Sequence, residues 1–336
     1  MAWIRGSMTA FDLLQPSGVD EAVALLQRHG TDAWVVAGGL DTFDQLADGI
    51  VRPAVLVDLG AIGELNGVRE TAEGIEIGAT TTLADVARHR VVREKFPLLA
   101  LAATSVASPQ IRNQGTIGGN VSQNARCWYF RSGWSCYRAG GNVCYGDTPT
   151  AANREHAIFP MDRCVAVNPS DTAPALIALD ASMVIHSPSG ERVVPAEEYF
   201  VSPSVDITHM TILQQGDLLT AIRIPATWAG ATHYFEKVRD RRVWDFALVN
   251  VASVMRLSNR TIEDARVVVN GVAGTPKRLH DVEEAIRGRA PDEATATLAG
   301  DMAVRRAEPL RDNGYKVAMT RNLVRRAIRM GEQQTT

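Results

Sequence analysis

The chain has 336 residues, 46% of them hydrophobic, with 35 Lys plus Arg against 38 Asp plus Glu and a formal net charge of −3. That apolar content excludes an intrinsically disordered chain, and the near-neutral balance argues against a nucleic-acid binder. No apolar run reaches the roughly 18 residues a membrane span needs, and at ~150 residues per domain the length predicts two domains.

Strand-like and helix-like segments alternate through the first part of the chain. Residues 33–37 (Ala-Trp-Val-Val-Ala) form an apolar run that ends in Gly38-Gly39, a buried strand followed by a tight turn. Residues 55–58 read as a second strand. Residues 74–78 alternate with period two, as a half-buried strand does. Thr82 is placed to cap a helix, with Asp85 three residues on, and residues 96–107 form a small-residue apolar helix. Strands alternating with helices point to an α/β fold.

From Ser108 to Asn168 the chain is rich in Gly, Asn, Arg and aromatics and has little apolar periodicity. A long irregular stretch inside a compact domain usually carries function. Periodicity returns at 173–181, then 183–187 is a strand and 187–190 a turn. Residues 218–225 read as the last strand of the first domain, and 226–230 as the boundary. Strands at 247–255 and 265–271 follow, with Asn259-Arg260 able to turn the chain between them. The last helix, 315–330, gathers Val317, Val324 and Ile328 near one face.

Two segments carry the chemistry of anion binding. One is 36–42 (Val-Ala-Gly-Gly-Leu-Asp-Thr), directly after a strand. The other is 113–120 (Asn-Gln-Gly-Thr-Ile-Gly-Gly-Asn). Glycine lets backbone N–H groups approach a phosphate closely. A lone Gly-Gly is as consistent with a simple turn, but two such loops in one α/β domain can clamp a pyrophosphate between them. Neither fits the Rossmann or P-loop spacing.

Residues 37–41 (Ala-Gly-Gly-Leu-Asp) and 111–120 (Ile-Arg-Asn-Gln-Gly-Thr-Ile-Gly-Gly-Asn) closely resemble the two FAD pyrophosphate loops of the flavin subunit of molybdenum hydroxylases. That family includes xanthine dehydrogenase, carbon monoxide dehydrogenase, hydroxybenzoyl-CoA reductase and periplasmic aldehyde oxidoreductase. Residues 169–181, 271–278 and 309–316 resemble further family signatures, so the resemblance covers nearly the whole chain. It implies a pyrophosphate site on Ala37, Gly38, Gly39, Leu40, Asp41 and Thr42, and on Thr116, Gly118, Gly119 and Asn120. It also puts Ile111 against the flavin or its chain, Asp171 in contact with FAD, and Lys237 near the isoalloxazine. A solvated strand position is the alternative for Lys237. Leu40 departs from the family's usual Thr, which removes a hydroxyl and leaves the backbone donors.

The four cysteines are spaced C-x₈-C-x₇-C-x₁₉-C, all within residues 127–164, with no C-x₂-C pair. Four thiolates in one loop suit zinc or a [4Fe–4S] cluster, and four unligated thiols are the plain alternative. The family resemblance implies a [4Fe–4S] cluster on Cys127, Cys136, Cys144 and Cys164, as in the aldehyde oxidoreductase type. Trp128, Tyr129, Phe130 and Trp134 are placed to shield it, and Arg126, Arg131 and Arg138 to offset its charge. His156 is a candidate ligand, with a hydrogen-bonded structural role the alternative. No G-x-S-x-G or H-E-x-x-H motif is present, as expected where a cofactor does the chemistry.

These readings combine into an α/β chain with a two-lobed FAD-binding domain of the PCMH type at 1–226. Its iron–sulfur loop is inserted at 126–165, and a smaller α/β domain with an antiparallel sheet spans 227–336. The resemblance implies an FAD-binding electron-transfer subunit, with a molybdenum cofactor in a large partner and [2Fe–2S] centres in a small one. It also implies an external electron acceptor and an aldehyde or aromatic heterocycle as the complex's substrate. A stand-alone flavin oxidase or reductase, and a zinc-stapled assembly subunit without FAD, are the rivals. The N-terminal Met1-Ala-Trp-Ile-Arg-Gly-Ser-Met shows no signal peptide, so the expected compartment is the cytoplasm, or the periplasm if a partner carries the export signal.

Overall fold

The structure is a computed structural model that describes residues 8–333. Three sheets organise it. The first is a small parallel sheet of Asp12–Leu14, Val55–Asp58 and Ala33–Val36, with Val55–Asp58 in the centre. Helix Val19–His29 covers it with Ala22, Val23 and Leu26, an i, i+4 apolar face. Val55, Leu56 and Val57 are all buried, the continuous apolar run of a strand covered on both faces.

The second sheet has five antiparallel strands. Val68–Glu70, Gly74–Gly78, Leu218–Pro225, Ser182–Ser187 and Gly190–Pro195 lie side by side in that order. Helices Leu83–Arg88, Pro97–Ser105 and Ala173–Ala178 fill the main core beside it. Thr82 caps the first of these by accepting from the Asp85 amide at 3.1 Å.

The third sheet is the antiparallel meander Thr232–Val238, Val249–Ser258, Thr261–Asn270 and Lys277–Arg278. Its central strands are buried on both faces. Val251, Met255, Val267 and Val269 join one core, with helices Glu293–Ala303 and Tyr315–Gln333. Ala252, Val254 and Val268 point the other way into the main core. This period-two division welds the C-terminal sheet to the second lobe. Among the described residues no helix is long and apolar enough to cross a membrane.

The stretch 108–168 departs from its reading as irregular. It contains Pro109–Gln114, Ile117–Ser122 and Trp128–Arg131 as short helices. Each is one or two turns, too short for an apolar stripe. The first two are set by caps: Ser108 accepts from the Ile111 amide and Thr116 from the Gly119 amide. The helix Leu40–Ala47, which starts inside the first Gly-rich loop, was also not expected from the sequence.

Candidate functional site

A cleft of about 900 Å³ lies where the first lobe, the second lobe and the segment 244–246 meet. Ala37, Gly38, Gly39, Leu40, Asp41, Thr42, Ile111, Thr116, Gly118, Gly119, Asn120 and Asp171 all line it. Residues far apart in sequence are thus brought to one wall, and backbone contact between the two loops explains how.

A Cβ on Gly38 would lie 2.4 Å from the Gln114 carbonyl oxygen, and the Gln114 side-chain amide donates to the Gly38 carbonyl at 2.9 Å. The first loop therefore packs backbone to backbone on the second. Gly39 has φ +75°, and a side chain there would also strike the Phe43 ring. From this turn the helix Leu40–Ala47 begins. The amides of Leu40, Asp41 and Thr42 form its first turn and have no intrahelical acceptor, which leaves backbone donors at this end of the cleft.

The second loop is different. Its amides are consumed by the fold: Ile117 donates to the Thr81 carbonyl, Gly118 to Ala79, Gly119 to the Thr116 hydroxyl and Asn120 to the Thr116 carbonyl. A Cβ on Gly118 would sit 2.7 Å from the Ala79 oxygen, so this loop supplies shape and close approach rather than free donors. Asn120 is occupied as well, its Oδ1 accepting from Ser170 and Thr172 at 2.7 and 2.6 Å. Leu40, which replaces the expected hydroxyl residue, reaches across toward Gly115.

Two acidic residues in the cleft are already paired. Asp41 accepts from Arg131 at 2.7 Å and the Asn124 amide at 2.8 Å, and lies 3.0 Å from the Arg126 guanidinium. It thus fastens the start of the cysteine segment to the first loop. Burial pulls the Arg131 pKa down and the Asp41 charge opposes that. Asp171 accepts from Lys237 Nζ at 2.5 Å and from Asn250 Nδ2 at 3.0 Å, and Lys237 also donates to the Ser105 carbonyl. Both side chains are almost completely buried, so Lys237 is not a solvated strand residue. Burial pushes the Asp171 carboxyl above the usual carboxylate range, against the Lys237 charge and the hydrogen bonds.

Sequence reasoning missed the rim. Trp244 is 60% exposed and takes φ +71° beside Ala107 at φ +38°, and the Trp244 amide donates to the Ala107 carbonyl at 3.0 Å. Phe246 lies under the Arg126 guanidinium, 4.9 Å from ring centroid to Cζ. The exposed pair in Val-Trp-Asp-Phe (243–246) was the available signal.

The four cysteines are free thiols that line one small cavity of about 10 Å³, together with Tyr129, Phe130, Tyr137, Arg138 and Tyr145. Burial raises the Cys127 thiol pKa to about 11 and raises that of Cys144. His156 Nε2 lies 3.2 Å from Cys127 Sγ, and burial lowers the His156 pKa to about 4, so the ring is neutral. Four sulfurs on one apolar cavity, with no spare cysteine, is a donor set that fits an iron–sulfur cluster. Among the described residues no group of three or more His, Cys, Asp or Glu is placed to hold a metal ion as it stands. The expected shielding is revised: Trp128 and Trp134 are about half exposed, and the cavity wall is Tyr129, Phe130, Tyr137 and Tyr145. Arg126 and Arg131 serve Asp41 instead, which leaves Arg138 as the member of that trio at the cavity.

Comparison with known proteins follows the same outline. Residues 9–227 match the model of the FAD binding domain in molybdopterin dehydrogenase, and 233–330 that of the CO dehydrogenase flavoprotein C-terminal domain. The carbon monoxide dehydrogenase medium chain of Hydrogenophaga pseudoflava is 31% identical over 95% of this chain and 96% of its own. The FAD-binding subunit of aldehyde oxidoreductase from Escherichia coli (strain K12) is 32% identical over 94% and 96%. A solved structure of the Hydrogenophaga pseudoflava carbon monoxide dehydrogenase, lacking the Mo-pyranopterin moiety, superposes with TM-score 0.79 over 98% of this chain and 99% of that one, at 31% identity.

Proposed function

The chain belongs to the family of FAD-binding medium subunits of molybdenum hydroxylases, and from that premise we propose that it is the electron-transfer flavin subunit of a three-part oxidoreductase. In that assembly the cleft would hold FAD, which would relay electrons to an external acceptor from a small partner's [2Fe–2S] centres and, behind them, a large molybdenum-cofactor partner. Aldehydes or aromatic heterocycles are the substrate class we assign to the complex. The observation that carries the proposal is the convergence of both Gly-rich loops and Asp171 on one cleft of about 900 Å³.

FAD, when bound, supplies the ability to take electrons singly and release them in pairs. The chain's residues do the rest. The amides of Leu40, Asp41 and Thr42 hold the pyrophosphate, and Gly38 and Gly118 keep the walls close. Ile111 packs on the cofactor. Asp171 lines the cleft and, with the Ser105 carbonyl, holds the buried Lys237 ammonium, which does not itself line the cleft. We assign Cys127, Cys136, Cys144 and Cys164 to a [4Fe–4S] cluster, a second one-electron site, supported by their shared cavity.

The test is an anaerobic absorption spectrum of the chain co-purified with its partners, with iron, sulfide and zinc analysis. Flavin bands are expected, with four irons and four sulfides per chain beyond those of the small partner's [2Fe–2S] centres. Flavin with one zinc and no iron beyond the small partner's would turn the cysteine loop into a staple. Absence of flavin would sink the central proposal.

A further inference from the structure

The cleft and the cysteine cavity share a wall. Phe130 and Arg138 line both. Arg138 lies in the short turn Tyr137–Ala139, next to Cys136, and is only 5% exposed. Its Nη1 donates to the Thr208 carbonyl at 3.2 Å, and its buried Nε has no hydrogen-bond partner. The nearby guanidiniums of Arg126 and Arg131 have Asp41 as counter-ion, and that of Arg163 has Asp162. Among the described residues no carboxylate pairs with Arg138.

A guanidinium stays protonated in a protein, and a buried cation without a counter-charge is strongly disfavoured. Arg138 lines two spaces that would suit anions. The cleft presents helix-start amides, and a thiolate-ligated cluster in the cysteine cavity would carry net negative charge. Phe130, the other residue that lines both spaces, has no polar atom to offset the Arg138 charge.

We propose that Arg138 is a counter-ion shared by the two sites, serving the phosphate-bearing ligand of the cleft on one side and the thiolate-ligated cluster on the other. The proposal rests on the cysteine cavity being a cluster site. It makes the two cofactors interdependent through one side chain: a single substitution must disturb both.

The test uses the complex with its partners and the variants R138M and R138K. FAD affinity is read by flavin fluorescence after deflavination, and the cluster midpoint potential by a redox titration followed by electron paramagnetic resonance. R138M is expected to raise the FAD Kd about tenfold, the scale of one charge-assisted hydrogen bond. It is also expected to move the cluster potential more negative, because losing a cation disfavours the more negative reduced cluster. R138K, which keeps the charge, is expected to restore most of both. If R138M does not assemble, R138Q takes its place with the same paired expectation. A change at one site with the other unmoved overturns the shared role while leaving the cluster reading intact. A wild-type complex with no iron and sulfide beyond those of the small partner's [2Fe–2S] centres overturns both.

Discussion

Lys237 and Asp171 show how much a single pair can be asked to hold. The two side chains are 2% and 4% exposed, and their 2.5 Å contact links the C-terminal sheet to the second lobe. Removing one member strands the other's charge in a dry site. Lys237→Met is therefore expected to cost about 3–5 kcal/mol of stability. Lys237→Met with Asp171→Leu is expected to recover most of that loss, and a denaturant titration of wild type, single and double variants measures both. A double variant no better than the single one would mean the pair is not the source of the cost. Both residues stand out in the sequence only through family resemblance. Their pairing was not legible, because residues 66 positions apart give no local signal that they meet.

At the scale of elements, the two Gly-rich loops were legible as sites of close backbone approach, and their division of labour was not. The sequence shows glycines in both, whereas the structure gives free helix-start amides to the first loop and spends those of the second on Thr81, Ala79 and Thr116. Two of those partners, Thr81 and Ala79, lie far upstream of the Ile117 and Gly118 amides they accept from, and composition does not reveal them. The contact between Gly38 and Gln114 is the point where the loops can be tested. Gly38→Ala pushes a methyl group onto the Gln114 carbonyl, which must move the second loop. The expected cost is about 1–3 kcal/mol of stability and a rise of about tenfold in the FAD Kd. Flavin fluorescence titration and thermal denaturation check these. Unchanged FAD affinity would mean the loops can separate without harm. The short helices around 108–131 escaped sequence reading for a related reason: caps set them, and a cap is a local event with no periodicity.

For the whole molecule, the alternation of strands and helices gave the α/β class, whereas the stretch 247–255, which reads as an amphipathic strand, is buried on both faces because it touches two cores at once. The interdomain seam was not legible. Lys316 is fully buried and donates to the carbonyls of Glu155, His156 and Gly271 at 2.8, 3.1 and 2.8 Å, while Asn313 donates to those of His156 and Ala157. Burial lowers the Lys316 pKa to about 7. A lysine in an amphipathic C-terminal helix looks like a solvated residue until its three acceptors are known. Lys316→Met leaves those acceptors without their donor and is expected to lower stability by about 3 kcal/mol or more. Calorimetry of the purified chain checks it, and an unchanged transition would show that water replaces the ammonium.

The segment that follows the last turns of the cysteine loop also belongs to two neighbours. Ile158 and Phe159 are core residues of the C-terminal sheet, the Ile158 amide donates to the Val272 carbonyl, and Asn153 accepts from the Asp312 amide. The loop outlined as 126–165 is therefore two pieces with different histories open to them. Three of the four cysteines lie upstream of Asn153 and the fourth, Cys164, lies beyond the stretch that the C-terminal domain anchors. Shortening the loop can therefore remove Cys127, Cys136 and Cys144 but not Cys164. A lineage or an engineer that discards the cysteine centre must replace Cys164 in place, downstream of chain that the C-terminal sheet holds still.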